Sequence, residues 1–79
     1  MIDYATSDLG SAAYLLTIGK KLIRLDRTDP HRILFCFEHD PAIEREVQAY
    51  LDGTVRVPPL TLLAHQKTLK TYIFAPQHR

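Results

Sequence analysis

The pattern of apolar and polar positions changes period along the chain, and the changes mark the elements. Residues 1–5 alternate, with Ile2 and Tyr4 around Asp3, which suits a short strand. From about Ser7 to Ile18 the period becomes helical. Leu9, Ala12, Ala13 and Leu16 form one stripe, and Tyr14, Leu15 and Ile18 widen it, so this helix is either central or covered by a partner. Thr6 or Ser7 is the expected N-cap, with Asp8 in the first turn, and Gly19 is the expected left-handed terminator.

Residues 21–40 are the stretch around which the chain is organised. Leu22–Leu25 and Ile33–Phe37 read as two strands of a hairpin, joined by the turn formers of Arg27–Arg32. Pro30 fixes φ there, and Asp29 is placed to bond the backbone just beyond itself. Period two puts Ile23, Leu25, Ile33, Phe35 and Phe37 on the helix-covered face. It puts Leu34 and Cys36 on the other, a semi-apolar face suited to a dimer or a partner.

Asp40-Pro41 opens a second helix, whose stripe is Ile43, Val47, Tyr50 and Leu51 and whose end is Asp52-Gly53. An extended link over 54–58 follows, with Val55 and Val57 around Arg56. Pro59 starts a last helix to about Phe74, with Leu62, Leu69 and Ile73 inward and Leu63 or Tyr72 at the flank. Pro76 stops it, and Gln77-His78-Arg79 should fray. The order is (β)αββαα. It predicts an α+β domain, a small two-layer structure of three helices on an antiparallel β-hairpin, with the N-terminal strand as an optional third.

Composition narrows the function. Seventy-nine residues make a single small domain over 1–79, able to bury roughly 60% of its unfolded surface, so self-association or a partner would add useful burial. With 46% hydrophobic and 24% charged residues the chain is globular. It has no apolar run near membrane length and no leader pattern, and its one cysteine, Cys36, fits a reducing cytoplasm.

The net charge of +1 hides a split. Residues 20–32 hold five cations against two acids, residues 38–52 five acids against Arg45, and residues 53–79 four cations. A basic hairpin and a basic last helix thus flank an acidic middle helix, a split that can steer a partner or simply be solvated.

Candidate chemistry is sparse. Glu38-His39-Asp40 follows a strand, but neighbours in an extended segment point to alternate sides, and Asp40 reads better as a cap. His31, His39, His65 and His78 lack ligand spacing and read as surface histidines. Cys36 lies mid-strand among apolar neighbours and reads as a small hydrophobe. No phosphate loop or nucleophile motif is present. The expectation is a protein without catalytic activity, metal or cofactor.

Nucleic-acid binding is the alternative. Lys20, Lys21, Arg24, Arg27, His31 and Arg32 cluster near the hairpin turn, and Lys67, Lys70 and Arg79 could extend that surface along a phosphate backbone. Against it, the isoelectric point is only near 7.9, and Phe35, Phe37 and Tyr50 are committed to apolar stripes.

The opening Tyr4-Ala5-Thr6-Ser7-Asp8-Leu9, followed by Ala12-Ala13-Tyr14-Leu15-Leu16, resembles the Y-x-T-x-D-L-x-x-A-A-x-L-L start of a family of short uncharacterised proteins from bacteria, archaea, phages and mobile elements. Gly19-x-Lys21-Leu22, Phe35-x-Phe37-Glu38, Gln48-Ala49-Tyr50 with Gly53, and Leu69-Lys70 with Ile73-Phe74 also match. The resemblance spans nearly the whole chain. It departs around Ala64-His65-Gln66, where a small apolar pair, Ala then Leu, is expected in place of His65-Gln66. That family is a domain of unknown function, so the resemblance implies a fold order and a mobile-element setting but no active site. Together these readings predict a small binding module for a protein or nucleoprotein partner, an inhibitor or accessory subunit.

Overall fold

A computed structural model of the chain describes residues 3–29 and 31–74. Expectations for Ile2, Pro30, Pro76, His78 and Arg79 lie outside the described residues. The elements are β1 (Asp3–Thr6), α1 (Leu9–Thr17), β2 (Leu22–Asp29), β3 (Arg32–Glu38), α2 (Ile43–Asp52) and α3 (Pro59–Phe74). The optional N-terminal strand is real. It pairs antiparallel with β3, as β2 does, giving the sheet order β1-β3-β2. Among the described residues, no helix is long and apolar enough to cross a membrane.

The hairpin is longer than the turn chemistry suggested, because Arg27 and Thr28 belong to β2. Asp29 faces Arg32 across its end, and the Asp29 carboxylate accepts the His31 N–H at 2.8 Å, the local bond expected of it.

Two bulges explain why strict alternation fails in β2. Leu22 faces Phe37 and Arg24 faces Cys36, so Ile23 is an extra residue. A second extra residue falls between Asp26 and Asp29, where the Asp26 carboxylate accepts the Thr28 N–H at 2.9 Å. The first bulge shifts the phase. Leu22 and Leu25 face the helices beside Phe35 and Phe37, while Ile23 turns outward and is 48% exposed.

α1 is central. Its residues Ser11–Leu15 are buried without interruption, and it touches β1, α2 and α3. Its cap is Asp8, not Thr6 or Ser7. The Asp8 carboxylate accepts the Ser11 N–H at 2.9 Å and the Ser11 hydroxyl at 2.6 Å, which allows Ser11 to be buried. Thr6 acts one step earlier, its hydroxyl accepting the Asp8 N–H at 3.1 Å. At the other end Gly19 has φ +96°, and the Lys20 N–H closes back on the Leu15 carbonyl at 2.9 Å.

α2 begins at Ile43, slightly later than its Asp40-Pro41 signal, with the Asp40 carboxylate accepting the Ala42 N–H at 2.8 Å. Ile43 and Val47 are buried, but Leu51 points outward. Tyr50 stacks on Tyr14 of α1, with ring centroids 5.0 Å apart. The Tyr14 hydroxyl donates to Glu46 at 3.4 Å; burial, with the nearby Glu46 charge, pushes the phenol pKa up.

α3 runs antiparallel to α1. His65 meets Thr17 near one end, and Ile73 lies near Leu9 at the other. Leu69 is fully buried between them. His65 is therefore half-buried, not a surface histidine. The Thr17 hydroxyl directs its single proton to the Ala13 carbonyl at 2.8 Å, so it accepts from His65 Nδ1–H at 2.9 Å.

Candidate binding cleft at the hairpin tip

The basic side chains of Lys20, just before β2, and of Arg24 and Arg27 on the bulged β2 fall in three different settings. Arg24 lies on the sheet face away from the helices. One guanidinium nitrogen is 3.0 Å from the Asp3 carboxylate and another donates to Cys36 Sγ at 3.4 Å. Cys36 is thereby covered to 2% exposure, and burial pushes its thiol pKa up. Leu34 beside it is half-buried. The face expected to be semi-apolar is thus closed over Cys36 by an ion pair.

Lys20 is held by Asp40 at 2.6 Å. That bond and the one from the Ala42 N–H hold the Asp40 carboxyl below its ordinary range. Glu38 and His39 are exposed, and with Gly19, Lys20, Lys21 and Asp40 they line a polar hollow. Asp40 is occupied as a lock between the two ends of this region. Among the described residues no group of three or more His, Cys, Asp or Glu side chains is arranged to hold a metal.

Arg27 is structural in a way its position in the sequence did not show. Its guanidinium donates to the carbonyls of Tyr72 at 2.6 Å and Ile73 at 3.3 Å, satisfying acceptors in the last turn of α3. This strap ties the hairpin to the end of α3 and builds a cleft between them. Leu9, Ile33, Phe35 and Ile73 form its apolar lining, and Ser7, His31 and Arg32 add polar groups. Its volume is about 340 Å³, at the lower end for ligand pockets and enough for one or two large side chains. Ile33, expected in the core, lines this cleft half-buried.

His31 and Arg32 are exposed, and neither makes an ion pair among the described residues. Lys21 is exposed at the far end of β2. Lys67 and Lys70 are exposed on α3, where they line a shallow hollow with Leu60, Leu63 and Ala64. Of the nine basic groups singled out from the sequence, Arg79 lies outside the described residues, and the structure brings only His31 and Arg32 to the cleft. Leu9 and Ile73, core stripe residues by their spacing, also line the cleft, a role that no sequence signal announces because it depends on the Arg27 strap.

The geometry defines a small α+β domain with a mixed apolar and basic cleft at one end of its sheet. Residues 1–75 match the family described as a domain of unknown function, DUF5659, and the chain belongs to that family. No curated protein and no solved structure matches it.

Proposed function

We propose that this protein is a non-enzymatic binding module of a phage or other mobile element, an inhibitor or accessory subunit that covers a surface on a protein or nucleoprotein partner. The cleft at the hairpin tip carries the reading. Its apolar lining would take a large apolar side chain, and Arg32 with His31 would pair with a carboxylate beside it. The mobile-element setting rests on the resemblance of the Tyr4–Leu16 segment. The alternative of nucleic-acid binding keeps fewer ligands than the sequence offered, because Lys20, Arg24 and Arg27 are engaged within the chain. Lys21, His31 and Arg32 are the remaining basic groups of the hairpin.

Affinity capture from host lysate tests the proposal. Arg32→Glu reverses the exposed charge, and Ser7→Trp fills the cleft from an exposed position. Each variant should lower capture of the partner about tenfold or more with thermal stability unchanged. Capture at the wild-type level by both variants would refute the reading. Anisotropy with random duplex DNA at about 50 mM salt addresses the alternative, for which affinity must fall steeply as salt rises.

A further inference from the structure

α3 is apolar on two sides. Its inner side carries Leu62, Leu69 and Ile73 against the core. On the opposite side Leu60 is 81% exposed, Leu63 52% and Phe74 81%. Leu60, Leu63, Ala64 and Lys67 follow i, i+3, i+4, i+7 spacing and, with Lys70, line the shallow hollow of about 360 Å³. Phe74 continues the same stripe. The stripe carries only positive charge, and neither lysine has an ion pair among the described residues.

α2 presents the counterpart. Glu44, Gln48, Leu51 and Asp52 follow i, i+4, i+7, i+8 spacing and all are exposed. Gln48 Nε2 donates to Asp52 at 2.9 Å, which places those two on one face. Arg45 borders this stripe beside Asp52 and leaves it net negative. Leu51 therefore sits among carboxylates, as Leu60 and Leu63 sit beside ammonium groups.

We propose that a second copy of this chain seats on the outward faces of α2 and α3, with α3 of each copy against α2 of the other. Both halves of the charge complementarity are present on one chain, so a two-fold arrangement forms the contact twice. Pairing α3 with α3 about the axis would instead oppose Lys67 and Lys70 to their own copies. This surface is separate from the hairpin-tip cleft, and the dimer would offer that cleft twice.

Sedimentation over a concentration series, with charge-swapped variants, tests the contact. The wild type should dimerise with concentration and dissociate as salt rises. K67E/K70E and E44K/D52K should each weaken the dimer on the order of a hundredfold, because each makes both faces alike in sign. Mixing the two variants should restore a dimer, since acidic α3 then meets basic α2 and acidic α2 meets basic α3. A wild type still monomeric at about 1 mM overturns the proposal. So does a dimer indifferent to both charge variants, a mixture that stays monomeric, or a monomer that instead takes a foreign acidic helix on α3. Arg32→Glu should leave the dimer intact, which separates failure here from failure of the cleft reading.

Discussion

Gly10 is the second residue of α1, where glycine costs up to about 1 kcal/mol relative to alanine. The structure gives a reason for it. A Cβ at this position would lie 2.6 Å from the Tyr50 hydroxyl oxygen, with Cζ at 3.5 Å and Cε2 at 3.6 Å. The Tyr50 ring thus lies along α1 over Gly10 and Tyr14, one turn apart. Gly10→Ala gains about 1 kcal/mol of helix preference but forces an overlap worth about 1–3 kcal/mol. The net effect is between neutral and about 2 kcal/mol destabilising. In a Tyr50→Phe background the overlapping atom is gone and the nearest remaining contact is an ordinary 3.5 Å. There Gly10→Ala should stabilise by up to about 1 kcal/mol, which is about 4–8 °C in a domain of this size. Urea unfolding of the four proteins closes the cycle, with an expected coupling of about 1–3 kcal/mol. If Gly10→Ala has the same effect in both backgrounds within about 0.5 kcal/mol, the account of Gly10 is wrong.

Leu69→Ala removes a fully buried side chain between α1 and α3, and chemical denaturation should show a loss of about 2–5 kcal/mol. Arg27→Met cuts the strap to Tyr72 and Ile73. It should cost about 1 kcal/mol, reduced by solvent at the exposed Tyr72 bond, and speed amide exchange in the last turn of α3; unchanged exchange would remove Arg27 from the cleft's architecture. The Asp40 carboxyl titrates below its ordinary 3.8 when folded, so its contribution is fully present above that unfolded value and is lost as pH falls through the lower folded one. The stability difference between wild type and Asp40→Asn should be flat near neutrality and shrink below about pH 4. Cys36 should resist thiol reagents at about pH 8 in the native protein and react at once when unfolded, as follows from its burial and raised pKa.

Much of the fold was legible in the sequence because caps and stops are local chemistry. Gly19, Gly53 and Pro59 fall where the patterns put them, and the third strand follows from alternation over five residues. Ile23 leaves the face its alternation predicts because a bulge is set by pairing across the sheet, and nothing within β2 announces an extra residue. Asp8 displaces Thr6 and Ser7 as cap because its carboxylate reaches both the N–H and the hydroxyl of Ser11. His65 departs from the apolar expectation, yet it packs inward because Thr17 offers it a hydrogen bond. The cleft was half legible. His31 and Arg32 stood out by charge, but their apolar company depends on Arg27 reaching across 45 residues of chain to Tyr72.

The two bulges have a further consequence. β2 is an outer strand of eight residues, long enough to serve as a template for a strand of another chain. The bulges at Ile23 and between Asp26 and Asp29 break its outward row of amides and carbonyls into short, twisted pieces, and Arg24, Asp26, Arg27 and Asp29 put charge along it. β1, at the opposite border, has only four residues. Neither border is therefore built as a template for open-ended strand addition.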